Sequence, residues 1–415
     1  MTEYLYPHSF SAILTQLQKR ISEPAPGLVQ FLIGPRQIGK TTILLAIADQ
    51  LKSRALYVAA DAPEASLAGW WENVWQKAED LAQKSTAALL IDEIQYLPNW
   101  GRLLKSKVDY VRHNGIRLHM IVSGSSALGL HSGSRETMAG RFEINQILHW
   151  PAAELGKYFK LSDEKSVDRL IKYGGYPGSM SFVNDLPRWR NYVRGSIIDP
   201  AIGRDILMME NVRKPALLRQ TFAICIGHPA EIISLQKISG RLLEKGSMQA
   251  VAHYLNLLEE AGLVAAVGKY SDKPIRVRSS PPKFVVLNQA MLSSMENINP
   301  PVQSAEPDRF GRWMENACMA HAWNAGQAIH YWRTEPLEVD MILSGSWGKW
   351  AVEIKTGNYS LNELKGLFEF CRLYKKFKPL LLCDAGKESI ATQAGIKTIS
   401  WKRYLLDGIT GPGVF

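Results

Sequence analysis

Hydrophobic and polar positions divide the chain into stretches of different period. Phe10, Ile13, Leu14, Leu17 and Ile21 recur at helical spacing, which predicts a short helix ended by Pro24 and Pro26. From Leu28 the pattern changes. The runs LVQFLI, ALYVAA, TAALLIDE and IRLHMIVSGS are short and apolar, with helical stretches such as TTILLAIADQLK between them. Apolar strands alternating with helices predict a parallel sheet covered on both faces. This block ends near Trp150-Pro151. Helical patterns broken at Gly174-Gly175-Tyr176-Pro177-Gly178 come next. Three more helical patterns follow, the last apolar at Met248, Val251, Leu255 and Leu258, and then the extended run IRVRSSPPKFVVL. Three helices and a ribbon predict a winged helix. Beyond Pro301 a helix (GRWMENACMAHAWNAG) precedes strands AIHYWR, LEVDMIL and WAVEIK, a helix (LNELKGLFEFCRLYKK) and a last strand, PLLLCD. The expected class is α/β, in four parts: a core at 1–150, a helical lid or linker at 151–210, a winged helix at 211–298 and a second α/β module at 299–415.

The length of 415 residues suits several domains, and 46% hydrophobic with 21% charged residues excludes a largely disordered chain. No apolar run approaches the roughly 18 residues of a membrane span, and MTEYLYPHSF does not read as a secretory signal. Cys225, Cys318, Cys371 and Cys383 are scattered, which suggests neither a zinc site nor a disulfide framework and fits a reducing cytoplasm. Lys and Arg number 49 against 39 Asp and Glu, a net charge of +10. An excess of that size favours an anionic partner, nucleic acid or a membrane surface.

Gly34-Pro35-Arg36-Gln37-Ile38-Gly39-Lys40-Thr41, followed by Thr42, satisfies G-x-x-x-x-G-K-[ST] directly after a strand and at the start of a helix. Backbone N–H groups of such a loop face phosphates. Lys40 would reach the β- and γ-phosphates of ATP, and the Thr41 hydroxyl would help hold Mg²⁺. The third strand runs into Asp92 and Glu93 at the sheet edge where ligands bind. Asp92 is expected on the magnesium side and Glu93 on the attacking water. Ser123 or Ser125, ending the next strand, could reach the γ-phosphate or that water. Arg141 is a candidate to meet transition-state charge from the same or a neighbouring subunit, with Arg204 as a second candidate.

The C-terminal part carries a separate pattern. Asp340 and Glu353 fall on adjacent strand candidates, Lys355 shares the face of Glu353, and the upstream helix supplies Glu315. Two acids can bind a divalent metal and a lysine can steady the attacking water, as in a metal-dependent phosphodiesterase.

Together these residues resemble the prokaryotic AAA-superfamily ATPases whose C-terminal region is labelled only a domain of unknown function. The resemblance rests on GPRQIGKTT, LLIDEIQ, the SGSS strand end, AGRF followed by a W-P-x-x-E segment, GGYPGS, GRDI, the stretch ending LEEAGLV, PPKFVVLN and EVD…EIK. It implies a P-loop AAA-type ATPase core with a helical lid, a winged helix and a restriction-endonuclease-like C-terminal domain. It also places Glu315, Asp340, Glu353 and Lys355 on the catalytic constellation of that last fold. Asn288 departs from the family, which usually has an aspartate there.

The expected activity is Mg·ATP hydrolysis coupled to remodelling or moving on duplex or branched DNA. The expected assembly is a homo-oligomer, with a hexamer among the candidates, away from membranes. Gln249 and His253 on the third helix, and Arg276 and Arg278 on the wing, are the candidate DNA contacts. The alternatives are an ATP-gated, metal-dependent nuclease and a nucleotide-switched defence or signalling ATPase that binds no DNA.

Overall fold

The computed structural model describes residues 6–125, 138–209, 212, 214–242, 248–272, 280–295 and 299–409. They form two compact units. One comprises His8–Leu148 with a short segment beginning at Asp205. The other takes in Tyr6, Pro7, His149–Arg204 and the chain from Val212 onward.

The first unit is built on five parallel strands: β1 (Val29–Gly34), β2 (Ala55–Ala59), β3 (Ala87–Asp92), β4 (Leu118–Ser125) and β5 (Phe142–Gln146), in the order β2-β3-β4-β1-β5. β1 and β3 are buried at every position, which is why they read as unbroken apolar runs. Val29, Phe31, Leu89, Ile91, Met120 and Val122 pack beneath Trp75, Ala78, Leu104 and Val108 of the helices Trp70–Lys84 and Trp100–Asn114. β5 escaped the sequence pattern because its burial is inverted. Ile144 faces outward on this edge strand, while Asn145 is buried and accepts a hydrogen bond from Arg20 (2.9 Å).

In the second unit, helices Ala152–Phe159, Asp163–Tyr173 and Leu186–Tyr192 precede helices Pro215–Gly227, Leu235–Arg241 and Met248–Glu260. An antiparallel ribbon follows, β6 (Val264–Val267) with β7 (Lys283–Val286). After the helix Pro307–Asn324 comes a mixed sheet of β8 (Ala328–Thr334), β9 (Leu337–Gly345), β10 (Gly348–Ile354), β11 (Lys378–Cys383) and β12 (Lys397–Ser400), in the order β12-β11-β10-β9-β8. β8, β9 and β10 run antiparallel; β11 and β12 extend the sheet in parallel. β12 was not anticipated, since its four residues are all half-buried and carry no clear alternation.

Long-range polar contacts tie the second unit together. The Trp313 indole donates to the Ile171 carbonyl (3.1 Å), and Asn316 bonds both the amide (2.8 Å) and the carbonyl (3.0 Å) of Val286. Asn288 sits at the hub. Its Oδ1 accepts from the amides of Gly175 (3.0 Å) and Ala290 (3.1 Å), while its Nδ2 donates to His149 Nδ1 (3.0 Å). His149 Nε2 in turn donates to the Gly262 carbonyl (2.8 Å). A Cβ on Gly174, at φ +70°, would lie 1.9 Å from Asn288 Oδ1, so the glycine pair is required there. Among the described residues no helix is long and apolar enough to cross a membrane.

Candidate functional site

The strand order brings the C-terminal ends of β1, β4 and β3 side by side. Gly34 of β1 pairs in register with Ser125 of β4, and Ile91 of β3 with Val122 of β4, so Asp92 lies beside Ser123. The loop after β1 turns through Gln37 (φ +62°) and Gly39 (φ +102°) before the helix Lys40–Leu51 begins. The fully buried Ile38 pins this turn to the core.

Lys40 is 6% exposed and donates to the carbonyls of Gly34 (3.0 Å) and Pro35 (2.9 Å). Burial lowers its pKa, against the pull of Glu93, Asp92 and Asp205. Arg36 is clamped by Asp205 through two bonds, Nε to Oδ2 (2.9 Å) and Nη2 to Oδ1 (2.6 Å). This fork raises the pKa of Arg36 and fixes its direction. Asp205 was not singled out from sequence, although it directly follows the candidate Arg204. Thr42 is exposed on the first helical turn.

Asp92 collects three hydroxyl donors. Thr41 Oγ1 (2.7 Å) and the Tyr57 hydroxyl (3.1 Å) reach Oδ2, and Ser123 Oγ reaches Oδ1. The Glu93 amide donates to Ser123 Oγ (3.0 Å), and the Glu93 carboxylate accepts from the Gln95 amide. Glu93 sits at φ +53°, a turn that carries its side chain away from the strand axis. Tyr57 and Gln95 are functional neighbours that the sequence reading missed. The Thr41 hydroxyl and the Asp92 carboxylate offer hard oxygens together, and Mg²⁺ takes few protein ligands alongside phosphate oxygens. These residues therefore fit Mg²⁺.

Two expectations change. Ser123 is fully buried and uses its hydroxyl on Asp92 and Glu93, so it positions the acids rather than reaching a substrate. Arg141 pairs with Asp109 (2.7 and 3.2 Å), and its carbonyl accepts from the Val29 amide at the start of β1. Gly34 is five steps along that strand, a rise of roughly 16 Å at ~3.3 Å per residue, so Arg141 does not reach the loop of its own chain. Arg204 belongs to the other unit.

In the second unit Gln249 and His253 lie on the exposed stripe of the helix Met248–Glu260, with Asn256 one turn on. Arg276 and Arg278 lie outside the described residues. Trp189 is core, and Arg190 is committed to the Ser293 carbonyl (3.2 Å) and to Asn299 (2.6 Å).

The C-terminal acids do gather. Asp340 accepts the Ile354 amide (2.8 Å), and Lys355 pairs with Glu353 (2.9 Å). Burial raises the Glu353 pKa well above the carboxylate range, reinforced by Asp340. Glu315 is raised by burial to about 7 despite the opposing pull of Lys283. Lys283, on β7, is the unforeseen member. It is 1% exposed and donates to Glu315 (2.7 Å) and Glu338 (2.9 Å), with the Asp340 carbonyl at 3.5 Å. Among the described residues no group of three or more His, Cys, Asp or Glu could hold a metal ion. With a buried ammonium already bonded to Glu315, these acids do not fit the metal centre expected at Asp340 and Glu353.

Three families match successive parts of the chain: an AAA domain at residues 27–155, and two domains of unknown function at 164–302 and 310–404. No curated protein matches it. Among solved structures, the chain is similar to the RuvB Holliday junction branch migration motor of Thermotoga maritima, at 18% identity over 64% of this chain and 93% of that one, with a TM-score of 0.32. It is similar to the replication initiator DnaA bound to AMPPCP and single-stranded DNA (15% identity, 60% and 86% covered, TM-score 0.31). It is also similar to the Aeropyrum pernix ORC1 protein in complex with DNA (13%, 72% and 91%, TM-score 0.29). The first unit has the parallel-sheet fold of an AAA-type P-loop ATPase.

Proposed function

We propose that the chain hydrolyses Mg·ATP and uses the reaction to remodel or move along DNA, working as a homo-oligomer in the cytoplasm. The observation that carries the reading is the hydrogen-bonded chain Thr41–Asp92–Ser123–Glu93 beside the phosphate loop. Backbone N–H groups of the loop and the helix N-terminus bind the phosphates. Lys40 adds positive charge there, and its buried stem limits where the ammonium can go. Glu93 orients the attacking water by accepting a hydrogen bond from it, while Gln95 holds its carboxylate and Ser123 its backbone amide. Thr41 and Asp92 would hold Mg²⁺, which would supply charge stabilisation to the transferred phosphoryl group. Arg141 or Arg204 of a neighbouring subunit is the proposed partner for transition-state charge.

The DNA part rests on features outside this site. The net charge is +10. Gln249, His253 and Asn256 share one exposed helical stripe next to the β6–β7 ribbon, an arrangement read as a winged helix. On the C-terminal sheet, read as restriction-endonuclease-like, the ammonium groups of Lys378 and Lys397 lie 5.8 and 5.0 Å from the Trp350 ring, a basic and aromatic face suited to nucleic acid.

The test is ATP turnover with and without single-stranded, duplex and branched DNA. Lys40→Ala should lose nucleotide binding, and Glu93→Gln should bind ATP but stall. Normal hydrolysis by Glu93→Gln overturns the assignment of Glu93. No stimulation by any DNA, together with no salt-dependent DNA binding, removes the DNA part and leaves a nucleotide switch.

A further inference from the structure

The carboxylate cluster between the ribbon and the C-terminal sheet has a composition that a metal site would not need. Glu315 comes from the helix Pro307–Asn324, Glu338 and Asp340 from β9, and Glu353 from β10. Against these four acids stand two lysines of different kind. Lys355 is local to β10, two residues from Glu353, and is partly open to solvent. Lys283 enters from β7, far away in sequence, and its side chain is closed off. Its ammonium makes two charge-assisted bonds, to Glu315 (2.7 Å) and Glu338 (2.9 Å), and stands 3.5 Å from the Asp340 carbonyl. The Tyr331 ring centroid lies 5.8 Å away on another side.

A second observation points to the same place. Glu353 is 5% exposed, and its Oε2 is buried with no hydrogen-bond partner. Lys355 holds the other oxygen of this carboxyl group. The cations that balance the cluster are Lys355 at Glu353 and Lys283 at Glu315 and Glu338.

We propose that the Lys283 ammonium is the resident cation of this cluster and excludes a divalent metal from Asp340 and Glu353, so that the chain does not cut phosphodiester bonds there. A divalent ion on those two acids would meet a fixed like charge, the ammonium that stands 3.5 Å from the Asp340 carbonyl, in surroundings that screen it poorly. It would also find Glu315 already engaged. The lysine joins the ribbon to the sheet through the acids that a nuclease would give to metal.

The test is Mn²⁺ binding to the full chain, followed by electron paramagnetic resonance without nucleotide. Wild type and Asp340→Asn should bind Mn²⁺ identically, because Asp340 holds none. Lys283→Met should gain one Mn²⁺ site that wild type lacks, and Lys283→Met/Asp340→Asn should lose it again. If Lys283→Met does not fold, the charge-matched pair Lys283→Met/Glu315→Gln serves in its place. Mn²⁺ bound by wild type but lost in Asp340→Asn would overturn the proposal. So would a folded Lys283 variant that gains no site.

Discussion

Ser123→Ala separates a positioning serine from one that touches substrate. The side chain is fully buried and does two things at once: it donates to Asp92 Oδ1 and accepts from the Glu93 amide at 3.0 Å. Alanine removes a hydrogen bond to a charged group, worth about 1.5–3 kcal/mol, and leaves a partly buried amide unpaired at a cost of about 1 kcal/mol. Asp92 keeps Thr41 and Tyr57 on its other oxygen, so the acid is loosened rather than released. A folding loss of about 2–4 kcal/mol is expected, since such terms do not add fully. If about 2 kcal/mol of that support is felt in the transition state, kcat falls roughly thirtyfold. Nucleotide affinity should stay within about threefold, because Lys40 and the loop are untouched. Steady-state ATPase kinetics with a nucleotide titration and a denaturant melt checks all three. Ser123→Thr retains the hydroxyl and should restore kcat even if its extra methyl lowers stability. A folded Ser123→Ala protein with wild-type kcat would refute the argument. A tenfold loss of nucleotide affinity at unchanged kcat would return Ser123 to the γ-phosphate.

Three further outcomes follow from named contacts. Asp205→Asn breaks the fork on Arg36 and should cost about 1–3 kcal/mol in stability, with no added effect in an Arg36→Ala background; a double-mutant cycle reads the coupling. His149, buried and held neutral, has its pKa lowered by burial from 6.5 to about 4. Its contribution is complete above the unfolded value and lost as pH falls from about 6.5 towards 4, up to about 3 kcal/mol, so His149→Gln should flatten the acid limb of a stability–pH curve. Asn288→Asp puts an acceptor opposite His149 Nδ1 and should destabilise by about 2–4 kcal/mol at pH 8 and by less at pH 6, where a protonated His149 can donate to it. A variant whose melting difference from wild type is the same at both values would contradict that reading.

The parts legible in the sequence were those whose chemistry is local. A phosphate loop acts through its own backbone, so eight consecutive residues state it. Asp92 and Glu93 were visible because a buried strand ending in two acids is unusual on apolar grounds alone. The groups that hold these acids were not visible. Tyr57 is 35 residues from Asp92, and Asp205 is 169 from Arg36. Each becomes a neighbour only through strand order or the return of a distant segment. β5 was hidden for another reason: it turns an isoleucine outward and an asparagine inward, against the rule that reveals most strands.

Lys283 shows how far that difference matters for function. Read alone, Asp340, Glu353 and Lys355 state a metal-dependent active site, because the motif contains every ligand type and no veto. The veto lies 57 residues before Asp340, on a ribbon of a different part of the chain, and its meaning is electrostatic. A fixed ammonium and a divalent ion compete for the same negative potential, so a motif for metal binding is complete only when no buried cation already satisfies it. The Asn288 substitution carries the same lesson in reverse. It reads as a lost acid, yet its amide supplies the one donor that a neutral His149 Nδ1 requires, which an aspartate could not. In both places the net balance of donors and charges, rather than the presence of a motif, decides what the site can do.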